Sequence, residues 1–189
     1  LILRGELDGA LGSGRRNVAV MFGDIRGFTP MTETRPPEEV VALLNRYFTR
    51  VTAAVHAHGG TIDNFRGDGI MCVFGAPLAA RDPCRDGFSA AQDILRAIGE
   101  LNAELEAEGR TPIRIGLSLA YGEAVVGRIG AADRNEYTAI GDVANVSARI
   151  EGLTAELGYP LLVDGNVAAA LASAVRFDAL GERPLKGHT

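Results

Sequence analysis

The sequence predicts an α+β domain in which two long helices cover one face of an antiparallel sheet. Three observations support this prediction: short apolar runs typical of strands, two long amphipathic stretches typical of helices, and the order of these segments. The order is strand, helix, strand, strand, helix, strand, which is the ferredoxin-like βαββαβ arrangement. We therefore expect a ferredoxin-like core with C-terminal αβ additions.

The first predicted strand ends at an acidic residue. An alternating apolar run that begins at residue 17 ends at Gly23, and Asp24 follows it directly. A buried acid is costly to ionise unless a positive group lies against it. Asp24 is therefore either a turn cap or a ligand for a divalent metal ion, with the backbone amides around Gly27 facing a phosphate.

Two long helices are marked by their ends. The first begins after the prolines at 36–37, with two glutamates in its first turn, and stops at the glycines at 59–60. The second is capped at residues 82–83, Asp-Pro, and stops at Gly109. Proline and acids favour the first turn of a helix, and glycine favours its end.

A hairpin between the two helices carries a second acid. Residues 61–65 and 70–74 are predicted strands, joined by the sequence RGDG, which contains Asp68. In the predicted strand order this turn lies beside the end of the first strand. We expect Asp68 and Asp24 to converge there, as a pair of Mg²⁺ ions requires, although each alone is equally typical of a turn.

The C-terminal half continues with shorter elements. Asp142 is the predicted N-cap of a helix on which Asn145 and Arg149 share one face at i, i+4. Such a pair is either solvated or holds a sugar oxygen and a phosphoryl charge. The other predicted elements are strands at 113–121 and 123–129 around Gly122, a strand at 161–163, a helical stretch at 167–172 and a strand at 175–180.

Composition narrows the function classes. The 189 residues are 47% hydrophobic and 23% charged, with a formal charge of −5 and no block of basic residues, so a nucleic-acid partner is not expected. Two cysteines outside any CxxC motif and the lack of a long apolar run indicate a cytoplasmic location, with a parent chain that is either soluble or membrane-tethered. We expect residues 1–16 to be a lead-in from an upstream sensor or regulatory domain, and 17–189 to be one domain.

Three separated motifs resemble one family. VMFGDIRGFT, FRGDGIMCVFG and EYTAIGDVANVSARIE, together with GEAVVGRIG and RPLKGH, are similar to the class III nucleotidyl cyclase catalytic domain over roughly residues 16–188. The resemblance implies the class III cyclase fold and attack of a ribose 3′-OH on the α-phosphate, which gives a 3′,5′-cyclic nucleotide and pyrophosphate. It also implies a head-to-tail homodimer whose two sites each combine residues of both subunits.

The resemblance assigns roles residue by residue. Two Mg²⁺ or Mn²⁺ ions per site would be held by Asp24, Asp68 and the Ile25 carbonyl. Asn145 would orient the ribose, and Arg149 would stabilise charge on the α-phosphate. The backbone amides that would hold the β- and γ-phosphates are those of Gly27, Phe28 and Thr29.

The base-recognition positions depart from the family pattern. Adenylyl members commonly carry Lys, and guanylyl members Glu, where this chain has Asn64; the partner position is Thr138. An amide can serve either purine, whereas Thr138 can accept from adenine N6 and favours ATP. Arg66 replaces an aliphatic residue and either stacks on the purine or points into solvent. In the C-terminal motif one lysine of the family is missing, so the phosphate contact falls to Lys186 or His188.

We interpret the chain as an adenylate cyclase domain that acts on ATP as a homodimer. A guanylyl or dual-specificity cyclase that uses GTP is the enzymatic alternative. The alternative of another class is a non-catalytic nucleotide-binding or dimerisation module.

Overall fold

The computed structural model describes residues 13–131 and 134–181. Within this part of the chain, the predicted strand, helix, strand, strand, helix, strand core is present, with one additional short helix after the first strand, so the α+β class is confirmed. None of the helices there is long and apolar enough to cross a bilayer. The strands are β1 (Gly14–Ile25), β2 (Thr61–Arg66), β3 (Gly69–Phe74), β4 (Ile115–Ala131), β5 (Arg134–Ile140) and β6 (Leu161–Val163), and the helices are α1 (Phe28–Thr34), α2 (Pro37–Ala57), α3 (Pro83–Ala107), α4 (Asp142–Leu157) and α5 (Gly165–Leu171).

The sheet is centred on β1. The strand order is β2-β3-β1-β4-β5, and β6 pairs with β4. All pairs on the main path are antiparallel, whereas β6 runs parallel to β4, so the described sheet is mixed rather than purely antiparallel. Because β3 and β4 flank β1, the β2–β3 turn lies beside the C-terminal end of β1, and Asp24 and Asp68 meet there.

Both faces of the sheet are covered. Along β1, Ala19 and Met21 pack into a large core under α2 and α3, whereas Val18 and Val20 pack on the opposite face near α4. All four side chains are fully buried. This period-two alternation is what a strand buried on both sides requires, because successive side chains point to opposite faces.

Helix α4 is fixed to the second face by a buried hydroxyl. Ser147 donates from Oγ to the carbonyl of Val20 at 2.8 Å, and Ser118 donates from its Oγ to the carbonyl of Ser147 at 2.8 Å. Both serine side chains are fully buried. A paired buried hydroxyl fixes position as well as contributing stability. These bonds therefore set where α4, with its polar side chains, lies over the sheet.

The structure corrects the predicted bounds of two strands. Residues 14–16, expected in the lead-in, already belong to β1 and pair with β4. The two strands predicted at 113–121 and 123–129 are a single strand, β4 (Ile115–Ala131), because Gly122 pairs with Val18 within the β1–β4 ladder. A Cβ at Gly122 would contact Val143 at 3.4 Å, so this glycine gives α4 room and does not make a turn.

Residues 175–180 do not form the predicted strand. Val175 and Phe177 pack instead against the main core, and the Phe177 ring meets that of Phe88 with centroids 5.6 Å apart. Backbone hydrogen bonding at Val175 runs back to Leu171 rather than across to a strand. The alternation of apolar residues here therefore reflects burial of side chains without a partner strand.

Candidate active site

Asp24 and Asp68 lie on either side of one backbone amide. The amide of Ile25 donates to Oδ1 of Asp24 at 2.7 Å and to Oδ2 of Asp68 at 3.1 Å. Asp24 is close to the end of β1, and Asp68 is in the turn between β2 and β3. The predicted convergence of these two acids is therefore present in the structure, and the Ile25 side chain anchors the junction in the core.

The pKa of Asp24 is raised well above its ordinary value. Burial is the largest cause, followed by a hydrogen bond to Asp68, the charge of Asp68 and the charge of Glu151; together they raise the pKa of Asp24 to about 7. The Ile25 amide acts in the opposite direction but does not compensate. Two neighbouring carboxylates that share one amide donor cannot both ionise easily unless a cation lies between them.

The donor set at this junction fits a divalent cation. Mg²⁺ prefers oxygen ligands and is commonly held by one or two carboxylates together with substrate phosphates. Among residues 13–131 and 134–181, no group of three or more His, Cys, Asp or Glu side chains is placed to hold a metal ion. Asp24 and Asp68 therefore suit a cation that completes its coordination with a backbone carbonyl, water and substrate.

Two residues that the sequence analysis missed connect this junction to α4. Arg26 donates from Nη2 to the carbonyls of Thr154, at 2.8 Å, and Tyr159. Glu151 lines the same cleft as Asp24. The pKa of Glu151 is raised, mainly by burial; the charge of Arg26 lowers it and the charge of Asp68 raises it further. Arg26 directly follows β1, whereas Glu151 is far from Asp24 in sequence. No local signal identifies Glu151, because only the docking of α4 brings it to the site.

The turn after β1 leads directly into a short helix. Gly27 has φ of 69° and ψ of 26°, a left-handed conformation that favours glycine. Helix α1 begins at Phe28, so the amides of Phe28 and Thr29 belong to its first turn. First-turn amides lack intrahelical partners, which makes them available to an acceptor.

The predicted base-recognition residues share a partner that the sequence analysis did not identify. Asn64 donates from Nδ2 to Oδ2 of Asp63 at 3.0 Å, and Thr138 donates from Oγ1 to the same oxygen at 2.9 Å. Asn64 and Arg66 also line a cleft of about 160 Å³ together with Asp24. Arg66 is exposed at the end of β2.

Asn145 and Arg149 are not bonded to the carboxylate pair in the described part of the chain. Both are on α4, where Asn145 is exposed and Arg149 has a buried Nη1 without a hydrogen-bond partner among the described residues. No hydrogen bond or ion pair in the described part of the chain joins either residue to Asp24 or Asp68. Asp142, the predicted N-cap, is instead the first residue of α4, and Gly141 is the N-cap. Lys186 and His188 lie outside the described residues.

The sequence matches the family described as "Adenylate and Guanylate cyclase catalytic domain" over residues 13–189. Among curated proteins it is 37% identical to adenylate cyclase 1 of Rhizobium meliloti (strain 1021) over 175 residues, which is 93% of this chain and 26% of that protein. It is 39% identical to an uncharacterized protein of Mycobacterium tuberculosis (strain H37Rv) over 140 residues, 74% of this chain and 23% of that protein. The chain thus spans about a quarter of the length of these curated relatives.

Solved structures of both nucleotide specificities share the fold. The guanylyl cyclase Cya2 superimposes with a TM-score of 0.82 at 33% identity, over 94% of this chain and 89% of that one. The adenylyl cyclase CyaB from P. aeruginosa gives a TM-score of 0.83 at 27% identity, over 95% and 92% of the two chains. The sequence match, the shared fold and the converging aspartates together establish that this chain belongs to the class III adenylate and guanylate cyclase catalytic domain family.

Proposed function

We propose that this domain converts ATP to 3′,5′-cyclic AMP and pyrophosphate. The observation that carries the proposal is the Asp24–Asp68 pair around the Ile25 amide, a two-carboxylate oxygen site at the edge of a cleft. In the reaction the ribose 3′-oxygen forms a bond to the α-phosphorus and loses its proton to water. The bond from that phosphorus to the bridging oxygen breaks, and pyrophosphate leaves with the electron pair.

Asp24, Asp68 and the Ile25 carbonyl would hold two Mg²⁺ or Mn²⁺ ions, which supply Lewis-acid polarisation of the phosphates and make the 3′-OH more acidic. The first-turn amides of α1 suit the β- and γ-phosphates, because backbone N–H groups at a helix start favour anions. Lys186 or His188 is proposed as a further phosphate contact.

Asn145 and Arg149 are the proposed transition-state residues. A guanidinium beside the α-phosphate would stabilise the charge that develops there, and the amide of Asn145 would orient the ribose. The buried, unpartnered Nη1 of Arg149 supports this role, because a buried donor without a partner within the described residues is available to a ligand.

We further propose that the active form is a head-to-tail homodimer. Within the described residues of one chain, no hydrogen bond or ion pair joins Asn145 or Arg149 to the carboxylate pair, and this supports a site completed by a second copy. Two copies related by a two-fold axis would create two equivalent sites, each with the aspartates of one copy and with Asn145 and Arg149 of the other.

A guanylyl cyclase is the second candidate, and one observation favours it. Asn64 carries an amide whose oxygen could accept from guanine N1–H, and the guanylyl cyclase Cya2 shares 33% identity with this chain. Thr138 favours ATP, because its oxygen can accept from the adenine N6 amino group.

The two candidates are separated by product analysis. The purified chain is incubated with ATP, GTP or an equimolar mixture in the presence of Mn²⁺ or Mg²⁺, and cyclic products are resolved by chromatography. Cyclic AMP as the main product of the mixture is the expected result. Mainly cyclic GMP would replace the proposal by the second candidate, and folded protein without either product would point to a non-catalytic nucleotide-binding or dimerisation module.

A further inference from the structure

We propose that Asp63 sets the base preference of this cyclase by fixing the hydrogen-bonding direction of Asn64 and Thr138. The inference rests on the proposed function, because these two residues are its proposed base readers. Asp63 would be a positioning residue that acts through them without touching the nucleotide itself.

The position of Asp63 comes from an irregularity in the sheet. The register between β2 and β3 shifts between Ile62 and Asn64, so Asp63 is the extra residue of a bulge. A bulged residue leaves the regular alternation and turns its side chain in a new direction. The carboxylate of Asp63 consequently reaches Thr138 on β5, at the opposite end of the strand order from β2.

Both base readers donate to one oxygen of this carboxylate. Oδ2 of Asp63 accepts from Nδ2 of Asn64 at 3.0 Å and from Oγ1 of Thr138 at 2.9 Å. An oxygen that accepts from two donors carries no proton itself. The polar ends of Asn64 and Thr138 are thus held close enough together to reach a single purine edge.

The hydroxyl of Thr138 becomes an acceptor for any ligand. Its single proton is directed at Asp63, so only its lone pairs remain for the base. Adenine presents N6–H₂, which can donate to these lone pairs. Guanine presents the carbonyl oxygen O6 at the same position, where two acceptors would face each other.

The amide of Asn64 is fixed in the same way. Rotating it by half a turn would bring its Oδ1 against Oδ2 of Asp63, which replaces an attraction by a repulsion. Asn64 therefore loses the freedom to present either edge and offers the base one fixed pattern. Its second N–H stays available to donate to adenine N1. The ATP preference itself comes from Thr138, whose oxygen would face guanine O6, and we expect it to be roughly 10- to 100-fold.

The test is Asp63→Asn in the full 189-residue chain. An amide can donate to the Thr138 oxygen and to the Asn64 carbonyl, so both readers regain their alternative directions. We expect the ratio of kcat/KM for ATP to that for GTP to fall about tenfold, mainly through a gain with GTP. Asp93→Asn, which alters a carboxylate on α3 that contacts His58 and Arg96, is the matched control and should leave the ratio unchanged.

Two further measurements separate specificity from stability. In the Thr138→Val background, where there is no hydroxyl to direct, Asp63→Asn should change the ratio much less than in the wild type. Affinities for the α,β-methylene analogues of ATP and GTP, which cannot be cyclised, should change in parallel with the kinetic ratio. If Asp63→Asn fails to fold, Thr138→Val alone carries the test, and it should lower the ATP-to-GTP ratio.

The outcomes distinguish this inference from the proposed function. A folded wild-type chain that neither binds nor cyclises a purine nucleotide overturns both. A wild-type chain that cyclises ATP, with Asp63→Asn lowering both kcat/KM values equally and leaving the ratio intact, overturns only the role of Asp63. A wild-type preference for GTP would also contradict that role.

Discussion

Asp24 and Asp68 are bridged by the amide of Ile25, which lies 2.7 Å from Oδ1 of the first and 3.1 Å from Oδ2 of the second. Asp24 lies near the end of β1 and Asp68 lies in the turn between β2 and β3, so the two carboxylates approach this amide from different elements. This relationship makes the pair, and not either acid alone, the unit on which the proposed metal chemistry depends.

Asp24→Ala and Asp68→Ala should each reduce cyclase activity by roughly 10³-fold or more, because each removes a proposed ligand of the reacting metal ions. Product formation with Mg²⁺ and with Mn²⁺ is the measurement, and circular dichroism checks the fold. Asp93→Ala is the control, since Asp93 contacts His58 and Arg96 away from the site. Substantial turnover by Asp24→Ala with Mg²⁺ would contradict the two-metal assignment.

Without metal, the stability of the folded chain should depend on the ionisation of Asp24. Its pKa is about 7 in the folded state, above the ordinary 3.8, so between these pH values the folded state binds more protons than the unfolded state. The unfolding free energy should therefore fall as pH rises from about 4 to about 7. Asp24→Asn should flatten this part of the profile and be more stable than the wild type at pH 8.

Urea unfolding in EDTA at pH 5 and pH 8 measures this difference. Mn²⁺ added to the wild type at pH 8 should raise its midpoint, whereas the same addition to Asp24→Asn should have less effect. Identical pH profiles for the two proteins would show that neither burial nor Asp68 raises the pKa of Asp24 in the folded state.

Mixing Asp24→Ala with Arg149→Ala should restore activity that neither variant has alone. A mixed dimer would contain one site in which both residues are intact and one in which both are missing. With random exchange of subunits at equal concentrations, about a quarter of wild-type activity is expected. The assay requires a demonstration of exchange, for example with two affinity tags. Exchange without recovery would exclude the shared-site arrangement.

Substitutions at the base readers should shift the nucleotide preference. Asn64→Lys should sharpen the preference for ATP, mostly by penalising GTP, because a lysine can only donate. Asn64→Glu combined with Thr138→Cys should shift it towards GTP. Competition between both nucleotides measures the ratio. If the wild type already rejects GTP by 10⁴-fold, the weak contacts proposed here are insufficient, and Arg66 or the backbone must set specificity.

Ser147→Ala should destabilise the fold by about 1–3 kcal/mol, because the carbonyl of Val20 loses its buried donor. The midpoint of urea unfolding measures the change. Ser173→Ala, at an exposed position, is the matched control and should lie within about 0.5 kcal/mol of the wild type. Equal midpoints for the two variants would mean that α4 is held without this bond.

Much of the fold was predictable because the signals are local. The prolines and acids at the start of α2, and Asp82 at the start of α3, mark helix beginnings, and the structure confirms both. The apolar run at 18–22 predicted a buried strand, and the structure adds that both of its faces are covered. The meeting of Asp24 and Asp68 followed from strand order alone, since the β2–β3 turn must lie beside the end of β1.

Other features were decided only by the tertiary structure. Strand β4 continues through Gly122 because β1 pairs with it on both sides of this residue. Residues 175–180 stay outside the sheet, and Val175 and Phe177 pack against the main core instead. The docking of α4 brings Glu151 to the site and the Thr154 carbonyl to Arg26, and Asp63 reaches Thr138 through a bulge in β2. Pairing, docking and register depend on residues far apart in the chain, so their physical cause is nonlocal packing, which no local pattern of residues encodes.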